Sequence, residues 1–365
     1  MMKRMIPVRL KRIVNRSYAV KVETGIVDTL PEIFRRKWGR RRIFVITDTN
    51  VKRLYGRRLL RALSLLDLDA SMLDFTAGEE SKNAAVVFAL HSQLLSLGIR
   101  RDSLIVALGG GVVGDVAGFV AATVLRGVSF IQVPTTLLAQ LDSSVGGKVG
   151  IDHPHGKNLI GAFHQPTAVF VDPAVLKTLP ITEFKNGLAE MVKIAAAADK
   201  RLFVHIERRA RVIQRNDARL LVSLLVRAIE LKAAIVGKDE FDAGLRAVLN
   251  LGHTLGHAIE ASSGYSIRHG AAVAMGMATE ARIAVRMGLL RESDFVRLIR
   301  VMRALRLPVR FPRIKRRTKF LSALSADKKA GGAGIKFTML MGIGHAVVGV
   351  EVPTPFIMEL IDASR

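Results

Sequence analysis

Apolar residues along this chain follow two successive patterns. Over the first half, short β-branched runs alternate with longer helical stretches. RIFVITD (42–48), SLIVALGGG (103–111), VSFIQVPTT (128–136) and AVFVDP (168–173) read as strands, and residues 83–97 have a helical period. Such alternation points to a mostly parallel sheet covered by helices. After residue 183 strand signals nearly vanish. EFKNGLAEMVKIAAAADKRLFVHIERRARVI, DARLLVSLLVRAIELKAAIVG, LRAVLNLGHTLGHAIEA and HGAAVAMGMATEARIAVRMGLL are helical in period and rich in Ala and Leu. IKFTMLMGIG (335–344) reads as a further short strand. No internal repeat or low-complexity segment interrupts the pattern. The prediction is an α/β N-terminal domain, residues 1–180, with a mostly parallel sheet and a Rossmann-like nucleotide site. An all-α C-terminal domain, residues 181–365, follows it. At 365 residues the chain exceeds the size at which one core usually divides.

One helical stretch inverts the usual arrangement. LNLGHTLGHAIEA (249–261) is apolar almost all round, yet carries His253 and His257 one turn apart. Read as one helix, Arg246, Asn250, His253 and His257 form a continuous polar stripe. On a helix whose other faces are apolar, that stripe lines a cavity. HTLGH lacks the glutamate of the HExxH zinc-protease motif, so a metal here needs another ligand. NGLAEMVK (186–193) offers Glu190, with Lys193 on the same face, and IRHGAAVAMGM (267–277) offers His269. Two His and one Glu with an open position is a known catalytic zinc set.

The first half carries candidate nucleotide chemistry. IVALGGGVVGDVAGFVAA (105–122) is a strand, a glycine turn and a helix, with Gly109, Gly110, Gly111, Gly114 and Asp115. Glycines admit close approach of a phosphate, and a helix N-terminus favours negative charge. The spacing is not G-x-G-x-x-G, and a tight packing turn would have the same glycines. Asp48 ends an early strand, where an acid can bind ribose hydroxyls. Glu79 and Lys82 stand similarly at the next strand end. VPTTLLAQLDSSVGGKVGIDHPHGKNLIGAF (133–163) is a long polar, Gly-rich stretch holding Thr135, Thr136, Asp142, Lys148, Lys157 and Asn158. Its length marks it as functional rather than as a plain connection.

Composition narrows the chemistry. There is no cysteine, which excludes disulfides, thiolate metal sites and cysteine nucleophiles. The N-terminus has no apolar signal-peptide core, and no 18-residue apolar run suggests a membrane span, so a cytoplasmic protein is expected. The formal charge is +25, with net +14 in residues 1–61 and net +9 in 291–320. Charge runs are usually solvated faces. No aromatic stacking platform or nucleic-acid motif accompanies them, so no nucleic-acid partner is expected.

The blocks GGGVVGDVAGF, RGVSFIQVPTTLLAQLDSSVGGK, GKNLIGAF, GLAEMVK, LNLGHTLGHAIE and RHG, in this order and spacing, resemble the 3-dehydroquinate synthase family, within the sugar phosphate cyclases. The resemblance spans roughly 45–345 and leaves out the basic first forty residues. It implies a carbon–oxygen lyase, the second enzyme of the shikimate pathway, acting as a homodimer with NAD and a divalent metal, usually zinc and alternatively cobalt. The substrate would be 3-deoxy-D-arabino-heptulosonate 7-phosphate and the products 3-dehydroquinate and phosphate. NAD would take a hydride from C5, phosphate would leave by β-elimination, C5 would be reduced again, and an aldol step would close the ring. By this resemblance Glu190, His253 and His269 match the metal ligands, and His257 matches a proton-handling residue beside them. Asp142, Lys148, Asn158, Lys193, Lys232, Arg246 and Asn250 match the substrate pocket. Arg126 matches a phosphate contact from the neighbouring subunit, and Lys328 or Lys329 a further one. Asp48, Glu79, Lys82, Gly110, Gly111, Asp115, Thr135, Thr136, Asp142, Lys148, Lys157, Thr178 and Leu179 match NAD contacts. Two rival readings are a cyclase of the same superfamily acting on sedoheptulose 7-phosphate and a metal-dependent polyol dehydrogenase. The first would alter residues that meet the substrate carboxylate, and the second leaves the lysine–arginine cluster without a task.

Overall fold

The computed structural model describes residues 15–213, 218–314, 316–326 and 334–363; Lys328 and Lys329 lie outside these. The first half contains strands β1 (Ala19–Val22), β2 (Ile43–Asp48), β3 (Ala70–Phe75), β4 (Leu104–Gly109) and β5 (Ser129–Pro134). The antiparallel hairpin β6 (Lys148–His153) and β7 (Gly156–Phe163) follows, and then β8 (Ala168–Val171). Six strands form one sheet in the order β1-β8-β5-β4-β2-β3, with every pairing parallel. The helices of this half are α1 (Ile26–Trp38), α2 (Thr49–Val51), α3 (Arg57–Ser64), α4 (Ala84–Ser96) and α5 (Gly111–Thr123).

Successive strand residues point to opposite faces of a sheet. Phe44, Ile46, Ile105 and Ala107 therefore pack with α4 and α5. Ile43, Val45, Leu104, Val106 and Leu108 pack with α1 and α3 on the other side. Burial on both faces is why these strands read as unbroken apolar runs rather than alternating ones. From β2 the chain steps outward to β3, then returns through α4 to β4 on the opposite flank of β2. The switch point between β2 and β4 opens a crevice at the carboxyl ends of the strands. Asp48 and Gly109–Gly111 stand there.

The N-terminal segment belongs to the first domain's sheet and core. β1 pairs with β8, and Ile26, Leu30 and Phe34 of α1 are fully buried. The Asp172 carboxylate accepts hydrogen bonds from the backbone of Gly25 (2.8 Å) and Val27 (3.1 Å), tying α1 to the end of β8. The basic residues Arg35, Arg36 and Lys37 lie on the exposed face of this amphipathic helix. About half of the Gly-rich stretch at 133–163 is the β6–β7 hairpin. Val149 and Ile151 bury one face against α5, while Gly150 and Gly161 face each other so closely that a Cβ on either would lie 2.5 or 2.3 Å from the opposing carbonyl oxygen.

The second half is mainly helical: α6 (Ile181–Ala198), α7 (Lys200–Ile213), α8 (Ala218–Lys238), α9 (His253–Ser263), α10 (His269–Arg286), α11 (Glu292–Ala304), α12 (Arg317–Ala326) and α13 (Thr354–Ala363). Beside the helices, the described residues of this half hold one two-stranded sheet. The expected strand β9 (Ile335–Gly342) pairs antiparallel with β10 (His345–Val352), whose alternation is hidden by a register shift between Val348 and Val350, around Gly349 (φ 81°). Among the described residues no helix is long and apolar enough to cross a membrane.

Candidate active site

The polar stripe of 246–257 is not one helix. Leu245–Asn250 is a 3₁₀ segment, Gly252 takes φ 81°, and α9 begins at His253. Gly252 is pressed against α10, where an added Cβ would meet the Val273 carbonyl oxygen at 2.6 Å. The buried Glu280 carboxylate of α10 accepts hydrogen bonds from the backbone of Gly252 and of Leu255 (3.1 Å). A carboxylate at a helix N-terminus satisfies donors that have no partner within the helix. The break turns Arg246 inward: its guanidinium donates to the carbonyls of Gly146 (3.2 Å) and Glu240 (3.1 Å). His253 and His257 stay one turn apart on α9, with ring centroids separated by 5.3 Å.

Three helices bring Glu190, His253 and His269 together, with ligand atoms all within 4.8 Å of one another. His253 Nε2 lies 3.7 Å and His269 Nε2 3.5 Å from Glu190 Oε1. Tetrahedral bonds of zinc length place ligand atoms about 3.4 Å apart, so these separations suit a bound ion. Glu190 is fully buried, and neither of its oxygens accepts a well-aligned hydrogen bond, although the Lys193 ammonium is paired with Oε2. A buried carboxylate left this way is costly unless a cation completes it. The outer shell is also in place. His269 Nδ1 lies 3.2 Å from Glu260 Oε2, and His253 Nδ1 lies 3.3 Å from the Leu251 carbonyl oxygen. Such partners leave Nε2 of each ring free to ligate. The residues fit a divalent metal.

Electrostatics agree with that set. Burial would raise the Glu190 carboxyl, but Lys193 and the two imidazoles hold it well below the usual range. Burial, helped by Lys193, pushes His253 down to about 3, so its imidazole is neutral and able to ligate. Burial opposes a charged His269, yet Glu190 and Glu260 push it up to about 10 when no metal is present.

A cationic wall adjoins this cluster. The Lys232 ammonium, from α8, binds both the carbonyl and the carboxylate of Asp142. Burial lowers Lys232, Asp142 opposes this, and Lys193 and Arg246 lower it further. Lys193, Lys232 and Arg246 are all buried. Three buried cations against Asp142 and Glu190 make a pocket suited to an anion. His257 is exposed beside the cluster, its ring centroid 6.2 Å from that of His269. Asn250 is exposed at the end of the 3₁₀ segment, and Lys148 pairs with Asp242.

The nucleotide candidates divide into groups. Gly110 and Gly111 open α5, and a Cβ on them would meet Thr136 Cγ2 at 3.0 Å and Ser143 Oγ at 3.2 Å. Thr136 caps the following turn through Ala139 N (3.1 Å), and Thr135 N bonds to Gly109 O (2.9 Å). Lys82 pairs with Asp115 at 2.7 Å and donates to Asn158. Lys157 lies 3.1 Å from Glu79 and 3.3 Å from Glu260, joining the hairpin to α9. Asp48 caps α2 through Val51 N (2.8 Å). Thr178 Oγ1 bonds Tyr55 Oη at 2.7 Å, and Leu179 beside it is half-buried. Arg126 stands apart from these groups. It lies beyond the far end of α5 from Gly111, about 20 Å along that helix, on a turn where Leu125 and Arg126 both take positive φ, 50° and 65°.

Sequence reasoning assigned no role to Glu260, Glu280 or Asp239. A signal for Glu260 exists: His253, His257 and Glu260 are spaced 4 and 3 apart, so the stripe continues along α9. Glu280 and Asp239 act on backbone N–H groups distant in sequence or in an irregular loop, which no periodicity marks.

Comparison with known proteins places this geometry. Family models described as 3-dehydroquinate synthase N-terminal and C-terminal match residues 72–186 and 187–330. A 3-dehydroquinate synthase of Acidithiobacillus ferrooxidans is 43% identical over 349 residues, 95% of each chain. That of Pelobacter propionicus is 46% identical over 336 residues, 91% of this chain and 92% of its own. The alignments thus extend well beyond residues 45–345 and take in the N-terminal segment. Among solved structures, 2-epi-5-epi-valiolone synthase from Streptomyces hygroscopicus subsp. jinggangensis 5008, with NAD+ and Zn2+ bound, has a TM-score of 0.89 at 27% identity over 97% of this chain and 98% of its own. A 2-deoxy-scyllo-inosose synthase complexed with carbaglucose-6-phosphate, NAD+ and Co2+ has a TM-score of 0.83 at 25% identity, covering 95% of this chain and 96% of its own. On this combined evidence the chain belongs to the 3-dehydroquinate synthase family.

Proposed function

We propose that this chain converts 3-deoxy-D-arabino-heptulosonate 7-phosphate to 3-dehydroquinate and phosphate, with no net redox change. The observation that carries the reading is the buried, incompletely paired Glu190 carboxylate between His253 and His269, beside the Lys193, Lys232 and Arg246 wall. Residues 1–180 would serve as the NAD-binding unit and 181–365 as the metal- and substrate-binding unit. Glu190, His253 and His269 would hold the metal, zinc or cobalt. When bound, the metal supplies Lewis-acid polarisation of substrate hydroxyls, and NAD supplies a transient hydride acceptor.

The remaining steps belong to the chain's own residues. Lys193, Lys232 and Arg246 bind the substrate's anionic groups, with Asp142 holding the Lys232 ammonium in place. Asn158 and Asn250 orient hydroxyls, and Lys148 closes the pocket edge. His257 takes or returns a proton at an imidazole nitrogen, as its exposed position beside the cluster allows. Gly110 and Gly111 leave space for the pyrophosphate at the start of α5, with Thr135, Thr136, Asp48, Glu79, Lys82, Asp115, Lys157, Thr178 and Leu179 around the nucleotide. Arg126 stands about 20 Å along α5 from the glycine turn that opens the nucleotide crevice. We assign it to the neighbouring site of a homodimer, where it would bind phosphate.

The test is phosphate release from the heptulosonate phosphate with catalytic NAD, before and after chelation and metal add-back. Release that stops on chelation, returns with zinc, and yields dehydroquinate without accumulating NADH is expected. Turnover of sedoheptulose 7-phosphate in its place would overturn the substrate, and net NADH formation from a polyol would overturn the reaction class.

A further inference from the structure

Glu260 is a buried carboxylate with a different partner on each oxygen. Oε2 lies 3.2 Å from His269 Nδ1 on α10, and Oε1 lies 3.3 Å from Lys157 Nζ on β7. Lys157 is also 3.1 Å from Glu79 Oε1, beside the nucleotide crevice, and its ammonium lies 4.8 Å from the Tyr265 ring centroid. His269 is the first residue of α10 and half-buried, so helix packing on its own does not fix its ring. The outer torsion of a histidine is broad, and a second hydrogen bond is what selects the tautomer and the angle.

We infer that Glu260 is a positioning residue for His269, and that through Lys157 it ties the orientation of this ligand to the hairpin bordering the nucleotide crevice. The inference rests on the reading of His269 as a metal ligand. One rigid carboxylate serves both partners, so a shift of Lys157 turns the group that orients the imidazole. Lys157 also matters to Glu260 itself, because a buried anion that loses one of its two partners is left undercompensated. The contacts join β7 to the consecutive helices α9 and α10, although Lys157 and Glu260 lie 103 residues apart in the chain.

The test uses the metal-free, full-length protein and Co2+ as probe, with affinity from chelator competition and geometry from the visible spectrum of the bound ion. Glu260→Gln keeps the size but cannot satisfy both partners as the carboxylate does. It should lower Co2+ affinity by about 10–100-fold and alter the spectrum. Lys157→Met removes no ligand, yet should shift affinity by more than about threefold, and Lys157→Arg should restore it. Those two variants also stand in for Glu260→Gln if it fails to fold. Affinity within about threefold of native and an unchanged spectrum in folded Glu260→Gln would overturn the positioning role. An unchanged affinity in Lys157→Met would overturn the tie to the hairpin. These readouts involve no turnover. Failure to release phosphate in the unsubstituted protein would sink the proposed reaction without touching them, whereas native Co2+ binding in Glu260→Gln would sink only this inference.

Discussion

At the residue scale, the two histidines of α9 have different environments and different expected roles. His253 converges with Glu190 and His269, and His257 lies outside that convergence on the exposed side. His253→Ala should therefore abolish tight metal binding. His257→Ala should retain the metal, measured as bound zinc per chain, and lose turnover. Full metal retention in His253→Ala would break the ligand assignment. Asp239 has a different task. Its carboxylate accepts hydrogen bonds from the backbone of Ala243 (2.7 Å), Gly244 (3.0 Å) and Arg246 (3.0 Å). Those N–H donors, Arg246 first among them, hold its carboxyl down at about 2. A carboxyl depressed in the folded state stabilises it above the unfolded value, and that contribution fades as pH falls through the folded value. The native protein should lose stability between roughly pH 4 and pH 2 more steeply than Asp239→Asn, followed by urea midpoints across that range. Equal slopes would show that the loop is held by other contacts. Asp239→Asn should also raise KM more than it lowers kcat, because Arg246 keeps its charge but loses its anchorage.

At the element scale, the break between Asn250 and His253 sets where the metal ligands point. Gly252 meets α10 so closely that Gly276 on that helix has no room for a Cβ either: one would lie 2.2 Å from the Gly252 carbonyl oxygen. Gly252→Ala would incur about 1–2 kcal/mol for the left-handed backbone alone. The clash with the Val273 carbonyl oxygen adds to this, for a total above roughly 2 kcal/mol. Chemical denaturation of the metal-free protein measures it, and a loss under about 1 kcal/mol would mean that α9 and α10 can separate without harm.

At the scale of the whole molecule, two features call for tests beyond one site. The chain carries a net charge of +25, and the substrate it is proposed to take is phosphorylated and carboxylated. If the charge steers that anion, kcat/KM should fall steeply with salt while kcat stays flat, and equal insensitivity of both would remove steering. The position of Arg126 concerns the assembly. Mixing Arg126→Ala with His253→Ala subunits should recover roughly a quarter of native activity if the arginine serves the neighbouring site of a two-fold dimer. No recovery after subunit exchange would return Arg126 to its own chain.

Much of this was legible in the sequence, and the boundary has a physical basis. Runs such as IVALGGG and RIFVITD are buried on both sheet faces, so their composition alone marks them as strands of a helix-covered parallel sheet. The residue types of the site were legible as well. A helix that buries its apolar faces and carries His253 and His257 one turn apart must turn those two imidazoles toward a cavity. β1, β10 and the β6–β7 hairpin were not legible. β1 is only four residues long and its partner lies far away in sequence, Ala19 against Ala168, while glycines interrupt the alternation of β10 at Gly349 and of the hairpin at Gly150 and Gly161. The kink at Gly252 was hidden because local periodicity continues through it, while the force that makes it, contact with Val273 and Glu280, comes from another helix. Sequence by itself determined the fold class and the chemical inventory, since patterning and residue type are local properties. Only the tertiary structure decided which carboxylate faces which imidazole, because Glu190, Glu260 and Glu280 differ not in type but in the elements packed against them.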